Sequence, residues 1–156
     1  MKKISKVIFI LLIFNFLQSQ ISIGGTPKTI LYNLDRNIPN IMLPDIDLET
    51  LRLEDEIEEI DKSIPFRFGT PFEVNYNLDN SGQWIETELG RIWRLSITSE
   101  DAHSINLIYN RFILPEGSEM FVYDENMTTV LGAFTSANNK DYQTFSTAPT
   151  KGEITI

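Results

Sequence analysis

Phe72-Glu73-Val74-Asn75-Tyr76-Asn77-Leu78 alternates apolar and polar side chains without a break, and Asp79-Asn80-Ser81-Gly82 follows it directly. A period of two is the signature of a half-buried strand. The four residues after it are the types a turn needs, with glycine and asparagine supplying positive φ. Together they predict a strand and a hairpin turn. The same rhythm continues to the C-terminal side. Residues 83–88 read as a second strand. Residues 90–98 read as a third, with Trp93, Leu95 and Ile97 on one face and Arg94, Ser96 and Thr98 on the other. Residues 104–114 place Ile105, Leu107 and Tyr109 inward. After Pro115-Glu116-Gly117-Ser118, residues 119–123 are apolar on both faces, as in a central strand. Asp124-Glu125-Asn126 turns the chain again, and 129–134, 143–148 and 153–156 complete the series.

Seven or eight short strands separated by turn residues predict a mainly β fold, an antiparallel β-sandwich of jelly-roll type over residues 66–156. Its expected core is Val74, Tyr76, Trp93, Leu95, Leu107, Val122 and Phe134, held between two facing sheets. The βαβ rhythm of a nucleotide-binding α/β fold is missing. Gly152-Glu153-Ile154-Thr155-Ile156 starts an alternating strand and stops. That ending predicts a piece of a longer product, with an unpaired strand edge at its C-terminus and reduced stability when isolated.

N-terminal to the strands, residues 45–65 have another period. Leu53, Ile57, Ile60 and Ile64 share one face of a helix, and Glu54, Asp55, Glu56, Glu58, Glu59 and Asp61 cover the rest. Asp45 or Asp47 can cap its start, and Pro65 stops it. So narrow an apolar stripe needs something to pack on. The acid run is either a solvated face or a means of electrostatic docking to a basic surface. Residues 20–44, opened by Gly24-Gly25-Thr26-Pro27, predict an irregular leader with one edge strand at 29–31.

Residues 1–19 read as a secretory signal peptide. Lys2, Lys3 and Lys6 precede the apolar run Val7-Ile8-Phe9-Ile10-Leu11-Leu12-Ile13-Phe14, and Ser19 is a small residue before a cleavage point at Gln20. The run is too short to span a bilayer, which takes about 20 apolar residues, and Asn15 and Gln18 interrupt it against the alternative of an uncleaved anchor. The expected protein is therefore secreted, with no stable membrane insertion after cleavage. With the three lysines gone, ten basic residues face 22 acidic ones, a net charge of −12. Nucleic acid is excluded as a partner, since a polyanion needs a basic face.

Few chemistries survive the composition. The absence of cysteine in the 156 residues rules out disulfides, Fe–S clusters and thiol nucleophiles. His103 is the one histidine. It sits in a polar turn, Ser99-Glu100-Asp101-Ala102-His103-Ser104, and no serine lies in a nucleophile elbow. An exposed turn histidine is the expected reading. Asp45, Asp47 and Glu49, or Glu86 and Glu88, could be drawn as a glycosidase pair, but so could any acidic surface. Asp79-Asn80-Ser81 and Asp124-Glu125-Asn126 offer oxygen ligands for calcium, yet neither has the twelve-residue loop pattern, and turn formation explains both. Gly24-Gly25 opens no helix that would cradle phosphate. Trp84 and Tyr142 are the aromatics expected to be exposed, as a sugar platform requires; Trp93, Tyr76, Tyr109 and Tyr123 read as core. Asn126-Met127-Thr128 is a glycosylation sequon that matters only in a glycosylating host. No catalytic residue, metal ligand or cofactor is assigned.

An ordered series of segments carries a resemblance. It runs Gly82-Gln83-Trp84, Gly90-Arg91-Ile92-Trp93-Arg94-Leu95-Ser96-Ile97, Ala102-His103-Ser104-Ile105-Asn106-Leu107, Phe112-Ile113-Leu114-Pro115-Glu116-Gly117, Val122-Tyr123-Asp124 and Leu131-Gly132-Ala133-Phe134-Thr135 with Asn138-Asn139. From about Gly24 to Ile156 the chain resembles the N-terminal pro-region of secreted bacterial, lysyl-endopeptidase-like, trypsin-type serine proteases. Its opening looks like those of exported proteases of the Bacteroidetes. The resemblance implies a β-rich region followed by a chymotrypsin-like double barrel that carries the triad, often with a C-terminal sorting domain. None of the catalytic segments is present, so no catalytic role carries over. The implied partner is the cognate protease domain in cis, and the implied job is to assist its folding or block its cleft. An edge strand or loop would lie in the groove, or the acidic helix on a basic protease surface. The alternative is a free-standing binding module for carbohydrate or a cell-surface protein.

Overall fold

In a computed structural model, residues 22–156 except 89 are described, and the expected signal peptide lies outside them. The fold is mainly β. Its centre is a three-stranded sheet ordered β1–β4–β11, made of β1 (Asn40–Met42), β4 (Ser96–Thr98) and β11 (Ile154–Thr155). β1 runs parallel to β4, with Asn40 opposite Ser96, and β11 runs antiparallel, with Thr155 opposite Ile97. The other strands pair antiparallel in twos: β2 (Gln83–Thr87) with β3 (Gly90–Arg94), β5 (Ser104–Ile105) with β10 (Thr150–Lys151), β6 (Ile108–Tyr109) with β9 (Phe145–Ser146), and β7 (Met120–Tyr123) with β8 (Val130–Phe134). Small sheets thus replace the two broad facing layers of the expected sandwich. Positive φ at Asp101, Met127 and Gln143 and a register shift between Met120 and Val122 turn the chain before long ladders can form.

The expected strand at 72–78 does not form. Side-chain amides take its backbone instead: Asn77 Oδ1 accepts from the Asp79 and Asn80 amides at 2.9 and 3.1 Å, and Asn80 Nδ2 donates to the Asn75 carbonyl at 2.8 Å. Such local bonds compete with a ladder. Val74 and Tyr76 are consequently exposed rather than core. The turn at 79–82 is present, anchored by the indole Nε1 of Trp84 on Leu78 O and that of Trp93 on Ser81 O. Gly82 has φ +71°, and a Cβ there would lie 2.5 Å from Arg94 O, so only glycine fits.

The core gathers around Phe112, Phe134 and Phe145, with Tyr109, Leu114, Met120 and Leu131 packed on them. The rings of Phe112 and Phe145 stack at 4.2 Å, and Tyr109 meets Phe112 edge-on at 5.7 Å. Val122 and Phe134 are buried as expected, whereas Trp93, Leu95 and Leu107 are half-buried. Along β3 and β4 the expected faces are exchanged: Arg94, Ser96 and Thr98 are the buried side chains. The stretch expected to be a loose leader explains this. Asp35 O accepts from Arg94 Nη1, Pro39 O from the Ser96 amide, and Asn40 Oδ1 from Thr98 Oγ1. Polar partners from 35–40 thus make burial of that face affordable.

Within the same segment, the edge strand expected at 29–31 is instead a short helix, Lys28–Leu31, whose Lys28 pairs with Glu119 at 3.1 Å. Further upstream Ile23 and Gly24 exchange backbone hydrogen bonds with Ala133 of β8, and Ser22 Oγ donates to Gly132 O. At the other end, β11 is paired on both sides. It lies against β4, while Ile156 and Tyr123 exchange amide–carbonyl bonds at 2.8 and 2.9 Å and Asp124 bridges Thr155. The expected unpaired edge at Ile154-Thr155-Ile156 is therefore absent, and Thr155 is fully buried. Among the described residues no helix is long and apolar enough to cross a membrane.

Candidate interaction surface

The acidic helix spans Leu48–Glu58, shorter than the expected 45–65. Asp47, not Asp45, caps it: its carboxylate accepts from the Thr50 amide at 3.0 Å and from Thr50 Oγ1 at 2.7 Å. Those bonds from Thr50 hold the Asp47 carboxyl below the usual range. Beyond Glu58 the chain continues in turns. Asp61 accepts from the amide and hydroxyl of Ser63, which lowers its pKa, and the Ile64 amide returns to Asp61 O.

The chain then folds back. Arg67 places Nη2 2.7 Å from Glu54 Oε2 and Nε 3.0 Å from Asp55 Oδ1. The Glu54 hydrogen bond, with the surrounding carboxylates, raises the guanidinium pKa further. This clamp ties the Phe66-Arg67-Phe68 segment to the helix. The apolar stripe expected to pack stays exposed: no residue of Leu48–Glu58 is buried, and only Leu51, Asp55 and Glu58 are half-buried. Ile57 is 70% exposed and Ile60 83%; Phe66 and Phe68, beside the clamp, are 81% and 93% exposed. Leu53 and Ile64 are exposed as well. Six apolar side chains and many carboxylates are therefore exposed within residues 53–68. Sequence periodicity found the stripe, but Phe66 and Phe68 sat outside the helical pattern; their spacing around Arg67 was the available signal.

The other candidate residues are placed as follows. His103 is exposed in the turn before β5. Glu86 stands opposite Arg91 in the β2–β3 ladder. The Asp79-Asn80-Ser81 turn is occupied by its own side-chain hydrogen bonds. Asp124 is buried, and its two oxygens accept from the Asn126 and Thr128 amides, Thr128 Oγ1 and the Thr129 amide. Burial pushes its pKa up, but the hydrogen bonds from Thr129, Thr128 and Asn126 outweigh that and leave it below the ordinary value. Among the described residues no group of three His, Asp or Glu side chains could hold a metal ion. Trp84 is half-exposed, with the Arg91 guanidinium 4.7 Å over its ring. Tyr142 is 70% exposed.

No family model matches the chain. No solved structure matches it either. Among the described residues, the exposed apolar and acidic side chains of 48–68 are the most distinctive feature of the surface.

Proposed function

We propose that the chain is the pro-region of an exported trypsin-type serine endopeptidase, non-catalytic by itself, which assists folding of its protease or blocks the cleft in cis. The supporting observation is the exposure of Ile57, Ile60, Phe66 and Phe68. So many large apolar side chains exposed on one short segment are what a partner surface would cover. A protease domain joined in cis would be present at high effective concentration, so a weak contact suffices to cover them. The neighbouring carboxylates would steer the two parts together. On this reading the signal peptide at 1–19 sends the precursor across the inner membrane.

The decisive experiment starts from the reading frame downstream of this chain. The catalytic domain encoded there is expressed with and without it, and hydrolysis of a lysyl peptide substrate is followed. Active protease should form, or be held inactive until cleavage, only when the chain is present. A downstream frame without a G-D-S-G-type serine segment and upstream histidine overturns the proposal.

A second reading, a carbohydrate-binding module, draws on a shallow depression lined by Ile108, Lys140, Tyr142 and Thr144, in which Ile108 and Tyr142 are exposed. Polysaccharide pull-down lost on Tyr142→Ala would favour it. Silence across a broad glycan panel would remove it.

A further inference from the structure

We propose that the connection between the acidic helix and β2 is a proteolytic processing site, at which a trypsin-type endopeptidase hydrolyses Arg67–Phe68 before any other bond of the described residues. The inference does not depend on the pro-region reading, since the bond lies inside the chain and any endopeptidase of that specificity serves. Residues 65–77 form neither helix, strand nor turn, and all of them are exposed except Arg67 and Phe72, which are half-buried. Among the described residues, no backbone amide or carbonyl from 65 to 74 is hydrogen-bonded. Pro65 and Pro71 bracket the bond, fix their own φ, and bias Ile64 and Thr70 towards extended backbone. A Cβ built on Gly69 would meet nothing within 4 Å. The stretch is thus already in the open form that a protease cleft accepts, and no part of the core has to unfold first.

The other basic residues are held more firmly. Lys28 and Arg52 lie in helices, and Arg91, Arg94 and Lys151 in strands. The chain on either side of Arg36 is tied to the body, with Asp35 O on Arg94 and Pro39 O on the Ser96 amide. Phe112, next to Arg111, belongs to the core, and Lys140 O accepts from the Gln143 amide. Lys62 is the competitor. It is exposed but sits in a turn: the Ser63 amide and hydroxyl bond Asp61, the Ile64 amide returns to Asp61 O, and the Asp61 amide donates to Glu58 O. Extending the chain through Lys62 breaks all of these. Extending it through Arg67 breaks only the contacts of the guanidinium with Glu54 and Asp55. Exposed ion pairs of this kind slow such an opening by about two- to fivefold each. The clamp therefore guards Arg67 without protecting it as well as the turn protects Lys62. In the cut, water adds across the amide: Arg67 keeps a carboxylate and Phe68 leaves with a free amine. The pieces stay together, because the first supplies β1 to β4 and the Asp35 carbonyl to Arg94, while the Phe112, Phe134 and Phe145 core lies wholly in the second. The acidic helix is left at the free end of the first piece.

The test digests the full chain under native conditions with a trace of trypsin and follows intact masses and native gel filtration. Cuts after Lys2, Lys3 and Lys6, which lie outside the described residues, are scored apart. The first internal products should end at Arg67 and begin at Phe68, and should elute together at the size of the uncut chain. Arg67→Gln should abolish that cut and slow the first internal cleavage about tenfold or more. Glu54→Gln/Asp55→Asn opens the clamp and leaves the scissile bond in place, so cutting after Arg67 should quicken by about five- to tenfold. A first internal cut after Lys62, Arg36 or Arg111 overturns the proposal. So does an unchanged rate in the clamp variant, and so do products that separate on the native column.

Discussion

Arg94 donates its Nη1 to the Asp35 carbonyl at 2.6 Å, from a side chain that is 3% exposed and 59 residues away in sequence. The Asp35 carboxylate stops short, 3.9 Å from Nη2, and it is mostly in water. Nε and Nη2 of Arg94 are buried without a hydrogen-bond partner among the described residues. The stretch before β1 is therefore held to the sheet by a guanidinium that is only partly satisfied.

That arrangement separates volume from charge. Removing a buried, half-paired charge while keeping its bulk is often neutral or stabilising, whereas emptying the space is not. Arg94→Met should stay within about 1 kcal/mol of the parent or exceed it, and Arg94→Ala should lose about 3 kcal/mol. Urea unfolding midpoints decide between them. Equal loss in both variants would mean that the cation itself holds the segment.

Asp124 leads to a pH prediction. Its folded pKa lies below the ordinary value of 3.8. The stability it contributes is therefore complete above that value and disappears as pH falls through the folded pKa. Asp124→Asn turns an acceptor into a donor facing the amides of Asn126, Thr128 and Thr129. It should cost about 2 kcal/mol near neutral pH and flatten the acid limb of the stability profile. Melting temperatures between pH 2 and 7 provide the check; an unaltered acid limb contradicts it.

Tyr109 points to the opposite limb. Burial against Phe112 and Phe145 raises its phenol to about 12. A raised pKa of this kind contributes stability that is intact below the unfolded value near 10 and lost as pH climbs through the folded value. Absorbance at 295 nm should show one tyrosine titrating about two units late, and Tyr109→Phe should delete that phase.

Alternation located β3 and β4, though with their faces exchanged, and the run apolar on both faces at 119–123 located β7, which has one partner strand rather than two. The same alternation at 72–78 came to nothing, since Asn75, Asn77 and Asn80 lie close enough to bond one another first. The inversion along Arg94, Ser96 and Thr98 was out of sight for a different reason. It depends on Asp35, Pro39 and Asn40, about sixty residues upstream, and hydropathy assigns such a polar face to solvent. The candidate surface was half legible. The stripe of Leu53, Ile57 and Ile60 follows from periodicity, but whether a stripe is covered is a tertiary fact. The Arg67 clamp on Glu54 and Asp55 depends on the chain folding back after the helix, which no periodicity announces.

The helix and the core should come apart in unfolding. Leu48–Glu58 buries no side chain, while the cluster of Phe112, Phe134 and Phe145 lies elsewhere in the chain. A segment without buried contacts opens locally, far below the global free energy. Amide exchange in the helix should therefore run orders of magnitude faster than at Val122 or Thr155. Asp47→Ala removes the acceptor of the Thr50 amide, so exchange at Thr50 should quicken further and helical circular dichroism should fall, with the melting of the β core unchanged. If Asp47→Ala also lowers the core melting temperature, the helix is coupled to the body after all, and its apolar stripe is not free to serve a partner.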